Sequence, residues 1–192
     1  MVEYLDIVDE NDKVIGRDTR KNVHDNYRIH RGVHVFVVDR QDRILIQRRS
    51  MKKDYYPGYL DISVGAQVSS GETYEAAGRR ELLEELGCHE GPITEIASYD
   101  AYSSRQREKR RIFVHYCEGP FAPNPDEVDD LEFLSVDEVR TLLAKEKFTE
   151  GFQRSLEIYL RHLQDRADAD VAFGEAWQPM TGRAALDSRG TG

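Results

Sequence analysis

The stretch GAQVSSGETYEAAGRRELLEELGC (65–88) decides the architecture that the rest of the chain must fit. Ile62–Val68 reads as a short strand, and Ser69-Ser70-Gly71 breaks it. From Thr73 to Leu86 the pattern is helical, and Gly87 follows as a left-handed stop. At about 100° per residue, with Tyr74 at zero, Leu82, Leu83 and Leu86 fall near 80°, 180° and 120°, with Ala76 near 200°. These positions are expected to form the buried stripe. On the same wheel Glu81 falls at about 340°, Glu85 at about 20° and Glu84 at about 280°, a face opposite the leucines. Ala77 and Gly78 lie on or beside that face and leave room for a ligand. Gly78 costs about 1 kcal/mol relative to alanine inside a helix, so a reason for it is expected.

Two explanations fit three acids on one helical face. One is a solvated acidic face relieved by Arg79 and Arg80. The other is a site for a hard divalent cation, which takes carboxylate oxygens and leaves positions for water and phosphate. Arg80 precedes Glu84 by four residues, so the two can pair and orient that carboxylate.

The spacing of the whole stretch bears on the choice. Glu72 is followed after seven residues by Arg80-Glu81, then Leu82, Leu83, Glu84-Glu85, Leu86 and Gly87. This closely resembles the box of the Nudix hydrolase family. There are two departures: Ala66 stands at the opening glycine position, with Gly65 before it, and Cys88 stands at the closing aliphatic position. The resemblance implies an α+β Nudix fold, a mixed β-sheet sandwiched between α-helices. It implies Mg2+ as cofactor, with Mn2+ as a substitute, held by Glu84 and Glu85. Glu81 would be a further ligand or the base, and Glu72 and Arg80 would support the site. The implied reaction is hydrolysis of a diphosphate linkage in a nucleoside diphosphate or a derivative of one.

Outward from the box, alternating apolar residues predict a hairpin over 4–8 and 13–18, then a helical turn and loop over 19–31. A second hairpin is expected from 33–38 and 43–47, with strands near 93–101, 111–118 and 131–134. Pro57-Gly58 marks 52–61 as a loop, and three prolines mark 119–130 as another. Ser135 and Glu138 form a capping-box pattern ahead of a helix over 135–146, and a further helix is expected near 150–164. The domain boundaries that result are a lead-in over 1–30, a core over 31–165 and a mobile tail over 166–192.

With 192 residues, one domain and a tail are expected. The net charge of −9 argues against a nucleic-acid-binding surface. It does not argue against a small anionic substrate held through a cation. No apolar run reaches the length of a membrane helix, and the acidic start is unlike a signal peptide, so a cytoplasmic monomer or homodimer is expected. The two cysteines, Cys88 and Cys117, are too few for a disulfide framework and are expected as reduced thiols.

Phosphate needs donors, and Arg31, Arg48 and Arg49 are the candidate substrate contacts. SSRQREKRR (103–111) reads as a polar hairpin tip or a basic substrate-facing loop. Tyr55, Tyr56, Tyr59 and Tyr102 are either ring-stacking residues or core edge. Glu127, in the loop NPDEVDD, is either an exposed acid or an extra ligand or base. His30 and His34 are expected to be structural rather than metal ligands.

The layout also resembles the superfamily branch around type I isopentenyl diphosphate isomerase, through YLDIVDEND, IHR (29–31) and QRRS followed by YPGYLD. That reaction requires a cysteine just before the box and a histidine shortly after it. Val64 and Gln67 stand in that region instead. Hydrolysis is therefore the expected chemistry, with the isomerase or a non-catalytic diphosphate-binding module as alternatives.

Overall fold

Strand β3 (Ile29–Val38) is the axis of the computed structural model, which describes residues 2–88, 90–103 and 105–176, with side chains as far as 168. Two elements precede it: the antiparallel pair β1 (Tyr4–Val8) and β2 (Val14–Thr19), and the short helix α1 (Arg20–Asp25). On one side β3 pairs in parallel with β8 (Arg107–Tyr116) over its full length, and β8 pairs antiparallel with β7 (Ile93–Tyr102). On the other side β3 changes partner. Its Gly32–Val35 half pairs with β6 (Val64–Gln67), and only Val38 reaches Ile44 of β4 (Ile44–Arg49). Strand β4 pairs in turn with β5 (Leu60–Asp61) and β9 (Val128–Leu134). The expected 33–47 hairpin is thus closed only at its base. The strands then part, and β6 fills the gap.

Alternation along β3 divides the core into two faces. Val33, Val35 and Val37 join Tyr74, Ala77, Leu82 and Leu86 of helix α2 (Tyr74–Leu86) in one apolar cluster. His34 and Phe36 point the other way, toward helix α4 (Phe152–Ala176). There Phe36 stacks on Tyr159 at 4.5 Å and His34 Nδ1 lies 2.7 Å from Ser155 Oγ. A mixed sheet between helices is the α+β layering expected.

Helix α2 stops at Gly87 as its sequence predicts, and Thr73 caps its start. Thr73 accepts from the Ala76 amide at 3.2 Å, and Gly87 takes φ 67°. Its orientation differs from the expected one. Leu83 is 52% exposed and Ala76 is exposed, whereas Tyr74, Ala77, Gly78 and Glu85 are buried beside Leu82 and Leu86. The buried arc is centred near the acids, not opposite them. Gly78 faces the sheet: a Cβ there would lie 3.1 Å from Ile93 Cδ1 and 3.4 Å from Val35 Cγ2. Its role is close helix–sheet approach rather than space for a ligand.

Helix α3 (Val136–Leu143) begins with the predicted Ser135–Glu138 capping box. By its internal contacts the chain divides into two units, 1–159 and 160–192. In the second, α4 continues to Ala176, so the first part of the tail expected from 166 is helical. Residues 177–192 lie outside the described residues. No described helix is long and apolar enough to cross a membrane.

Candidate active site

Arg80 organises the carboxylates of the box. Its Nε and Nη2 donate to the two oxygens of Glu72 at 3.0 and 2.9 Å, a two-point fork. Its Nη1 also reaches Glu81, and Glu84 at 3.3 Å, which realises the expected i,i+4 pair. Glu72 in turn accepts from the Ser69 amide at 3.2 Å, so the loop ahead of the helix is tied to the same guanidinium.

The three helical acids differ in environment. Glu84 is half exposed, Glu81 is mostly buried and Glu85 is fully buried. Burial raises the Glu81 carboxyl, against the opposing pull of Arg80. Glu85 is pushed up to about 8, first by burial and then by the charges of Glu81 and Glu127; Lys53 and a hydrogen bond from Gln47 Nε2 at 3.3 Å oppose this. Protein cations offset only part of this negative charge. Converging carboxylates that suppress one another's ionisation are the donor set a hard divalent cation fits.

Glu127 belongs to this group. It is not the freely exposed loop acid of the first of the two readings. Instead the backbone folds against the end of α2, with Asn124 N donating to Glu85 O at 2.9 Å, and Glu127 pairs with Lys53. Three prolines and three aspartates around it disguise in sequence that it sits near the box.

Beside these acids lies a cleft of about 1120 Å³. Glu127, Lys53 and Gln67 line it where it meets the carboxylates, and Gln67 O accepts from Arg80 Nη2 at 3.5 Å. Of the three candidate substrate arginines, Arg49 lines the cleft, held by Asp61 at 3.3 Å and the Tyr55 carbonyl. Arg31 and Arg48 do not line it. Arg31 is bound to Asp12 at 2.6 Å beside the Tyr74 ring, and Arg48 donates to Gly58 O at 3.0 Å near Glu146. Tyr55, Tyr56 and Tyr102 line the cleft, and Tyr59 does not.

The stretch 103–111 is mostly strand, not tip: β8 begins at Arg107. Its alternation sends Glu108 and Arg110 into the cleft wall as a buried ion pair, with Arg110 Nη1 3.1 Å from Tyr99 Oη. Gly32 makes the room, since a Cβ there would stand 2.7 Å from Glu108 Oε2. His30 pairs with Glu108 at 3.5 Å, and His34 is a buried neutral imidazole, both consistent with structural roles. The period-two register of Glu108 and Arg110 with Ile112 and Val114 was the available signal for this wall.

The frame is thus a mixed sheet between helices, with a forked arginine and clustered carboxylates on one helix beside a polar cleft. Residues 28–155 match the NUDIX domain family, and the chain belongs to it. It is 33% identical to a Nudix hydrolase of Yersinia pestis over 176 residues, covering 92% of this chain and 96% of the relative. It is 31% identical to the Nudix hydrolase YfcD of Escherichia coli K12, covering 83% and 87%. Among solved structures it is similar to DR0079 of Deinococcus radiodurans, with a TM-score of 0.70, 29% identity, and 82% of this chain and 98% of that one covered. The chain is a Nudix pyrophosphohydrolase, a class that acts on small molecules and generally uses divalent metal ions.

Proposed function

We propose that the protein is a Mg2+-dependent, Mn2+-tolerant pyrophosphohydrolase of nucleoside diphosphates or their derivatives, working as a monomer or homodimer in the cytoplasm. The observation that carries this is the set of helical acids Glu81, Glu84 and buried Glu85, with Arg80 joining Glu72, Glu81 and Glu84 and with Glu127 close enough to raise the Glu85 carboxyl. Such a site gains most from a small divalent cation. Glu81, Glu84 and Glu85 would hold the ion. When bound, it supplies the positive charge that neutralises negative charge developing on the anhydride oxygens.

The chain's own residues do the rest. Arg80 keeps Glu72, Glu81 and Glu84 in one arrangement. A water attacks phosphorus, a new P–O bond forms, and the anhydride P–O bond opposite it breaks. A carboxylate at Glu81, or Glu127, accepts the proton that leaves the water. Arg49, Lys52 and Lys53 face the cleft where phosphates enter, and Tyr55, Tyr56 and Tyr102 offer faces for a base or ribose. Both cysteines lie outside the cleft lining, which favours hydrolysis over cysteine-dependent isomerisation.

The test is a panel of nucleoside diphosphates, dinucleotides, nucleotide sugars and ADP-ribose, assayed with Mg2+ or Mn2+ for anhydride cleavage, with isopentenyl diphosphate alongside. Metal-dependent release of a nucleoside monophosphate is the expected result. Inactivity throughout the panel with metal binding intact, or isomerisation of isopentenyl diphosphate, would overturn the reading.

A further inference from the structure

Behind helix α2, away from the cleft lining, three side chains converge that the hydrolase chemistry does not use. Cys88 follows the left-handed Gly87, fixed by its amide donating to Leu82 O at 3.1 Å. His115 and Cys117 stand two residues apart at the end of β8, on one side of that strand; Cys117 extends the ladder by donating to Val38 O at 3.0 Å. Cys88 Sγ lies 2.9 Å from Cys117 Sγ and 3.2 Å from His115 Nε2, and the three donor atoms all fall within 4.8 Å of one another.

The surroundings are those of ligands. His115 is 1% exposed, and its Nδ1 lies 3.0 Å from the Pro92 carbonyl. That bond requires the proton on Nδ1, so the Nε2 lone pair faces the sulfurs; a carbonyl-oriented imidazole is the usual arrangement in metal sites. Cys117 Sγ also accepts from the Gly119 amide at 3.4 Å. Burial, and then the neighbouring Cys117, push the Cys88 thiol up to about 12, so it is a bound cation that would hold this sulfur as a thiolate.

We infer that Cys88, His115 and Cys117 form a binding site for a thiophilic d10 cation, Zn2+ or Cu+, separate from the carboxylate site. Thiolate and imidazole select such ions, while carboxylates select Mg2+, so the two sites do not compete. Three protein donors leave the fourth position of a tetrahedral ion to water. Binding displaces the thiol protons of Cys88 and Cys117 to solvent and leaves two thiolates on the ion. A tetrahedron with Zn–S of about 2.3 Å and Zn–N of about 2.0 Å needs the donors somewhat further apart than they stand, so small side-chain shifts of both cysteines would accompany binding. The ion would clamp the C-terminal end of α2, which carries the box acids, to the end of β8.

The test uses the full chain, reduced, stripped with a chelator, then dialysed with excess Mg2+ and either Zn2+, Co2+ or Cu+. One equivalent of Zn2+ or Cu+ retained over Mg2+ is expected; competition with a chromophoric Cu+ chelator distinguishes the two. Co2+ should show thiolate-to-metal charge-transfer absorption, and the Cys117→Ser protein should lose both signals. On the wild-type chain alone, modification by a thiol reagent should slow by the factor 1 + [ion]/Kd, about 100-fold at 100 times Kd, while Mg2+ leaves it unchanged. Equal retention by Cys117→Ser, or labelling that neither Zn2+ nor Cu+ slows, would overturn the site. Recovery of a Cys88–Cys117 disulfide from the reduced, metal-loaded protein would also overturn it.

Discussion

Glu85 shows what a single residue contributes. Without a cation its carboxyl holds a proton at neutral pH, because burial beside Glu81 and Glu127 disfavours the charged form. A neutral amide of the same shape should therefore be tolerated by the fold. Glu85→Gln is expected to keep its melting temperature without metal, to lose the rise in Tm on adding Mg2+, and to turn over about 10²–10⁴-fold more slowly. Near-full turnover with Mg2+ would remove Glu85 from the site. The candidacy of these acids came from resemblance to the family box, in which Glu72, Arg80, Glu81, Glu84 and Glu85 occupy fixed intervals. Their burial was not legible there. A helical wheel orders residues around an axis, and the choice of face belongs to the sheet. Leu83, placed in the buried stripe by apolarity, lies in solvent.

At the scale of elements, the close approach of α2 to β3 and β7 places the acids beside the cleft, and Gly78 permits that approach. Gly78→Val should push against Ile93 and Val35, costing about 1–3 kcal/mol in urea unfolding and lowering turnover together with stability. An unchanged midpoint would mean that the contact is slack. The strands themselves were readable, because β-branched runs and turn residues mark them. Their partners were not. Strand β3 exchanges β4 for β6 midway, and β8 starts at Arg107 inside what reads as a basic loop. Charged residues conceal a strand when they pair along one buried face of it, as Glu108 and Arg110 do.

For the whole molecule, the buried polar wall between β3, β8 and α4 sets the response to acid. His34 is held well below the ordinary imidazole range, first by burial and then by Arg110, with Glu108 opposing. Below about pH 6.5 the unfolded imidazole takes up a proton that the folded one refuses. Stability then falls with pH by about 1.4 kcal/mol per unit, and above that pH His34 contributes no slope. Glu108, held far below the usual carboxylate range by Arg110 and His30 despite burial, adds a second loss only at still lower pH. Urea unfolding between pH 6.5 and 5 should therefore be steeper in pH for the wild type than for His34→Gln by about one proton. The raised carboxyls of Glu81, Glu85 and Asp61 act in the opposite direction, and they cancel in that comparison. Parallel slopes would show that His34 titrates normally.

The linear chain by itself determined the family resemblance: a pattern of one arginine and four glutamates, a helix with its glycine stop, and the order of strands around it. Those are local matters, set by spacing along one helix and by turn residues that act on their neighbours. Tertiary structure alone decided which helical face is buried, that Glu127 joins the acids from forty residues away, that Arg49 rather than Arg31 or Arg48 reaches the cleft, and that Cys88 meets His115 and Cys117. Each depends on which surfaces exclude water together. That is settled by packing across the sheet, and no interval in the sequence encodes it.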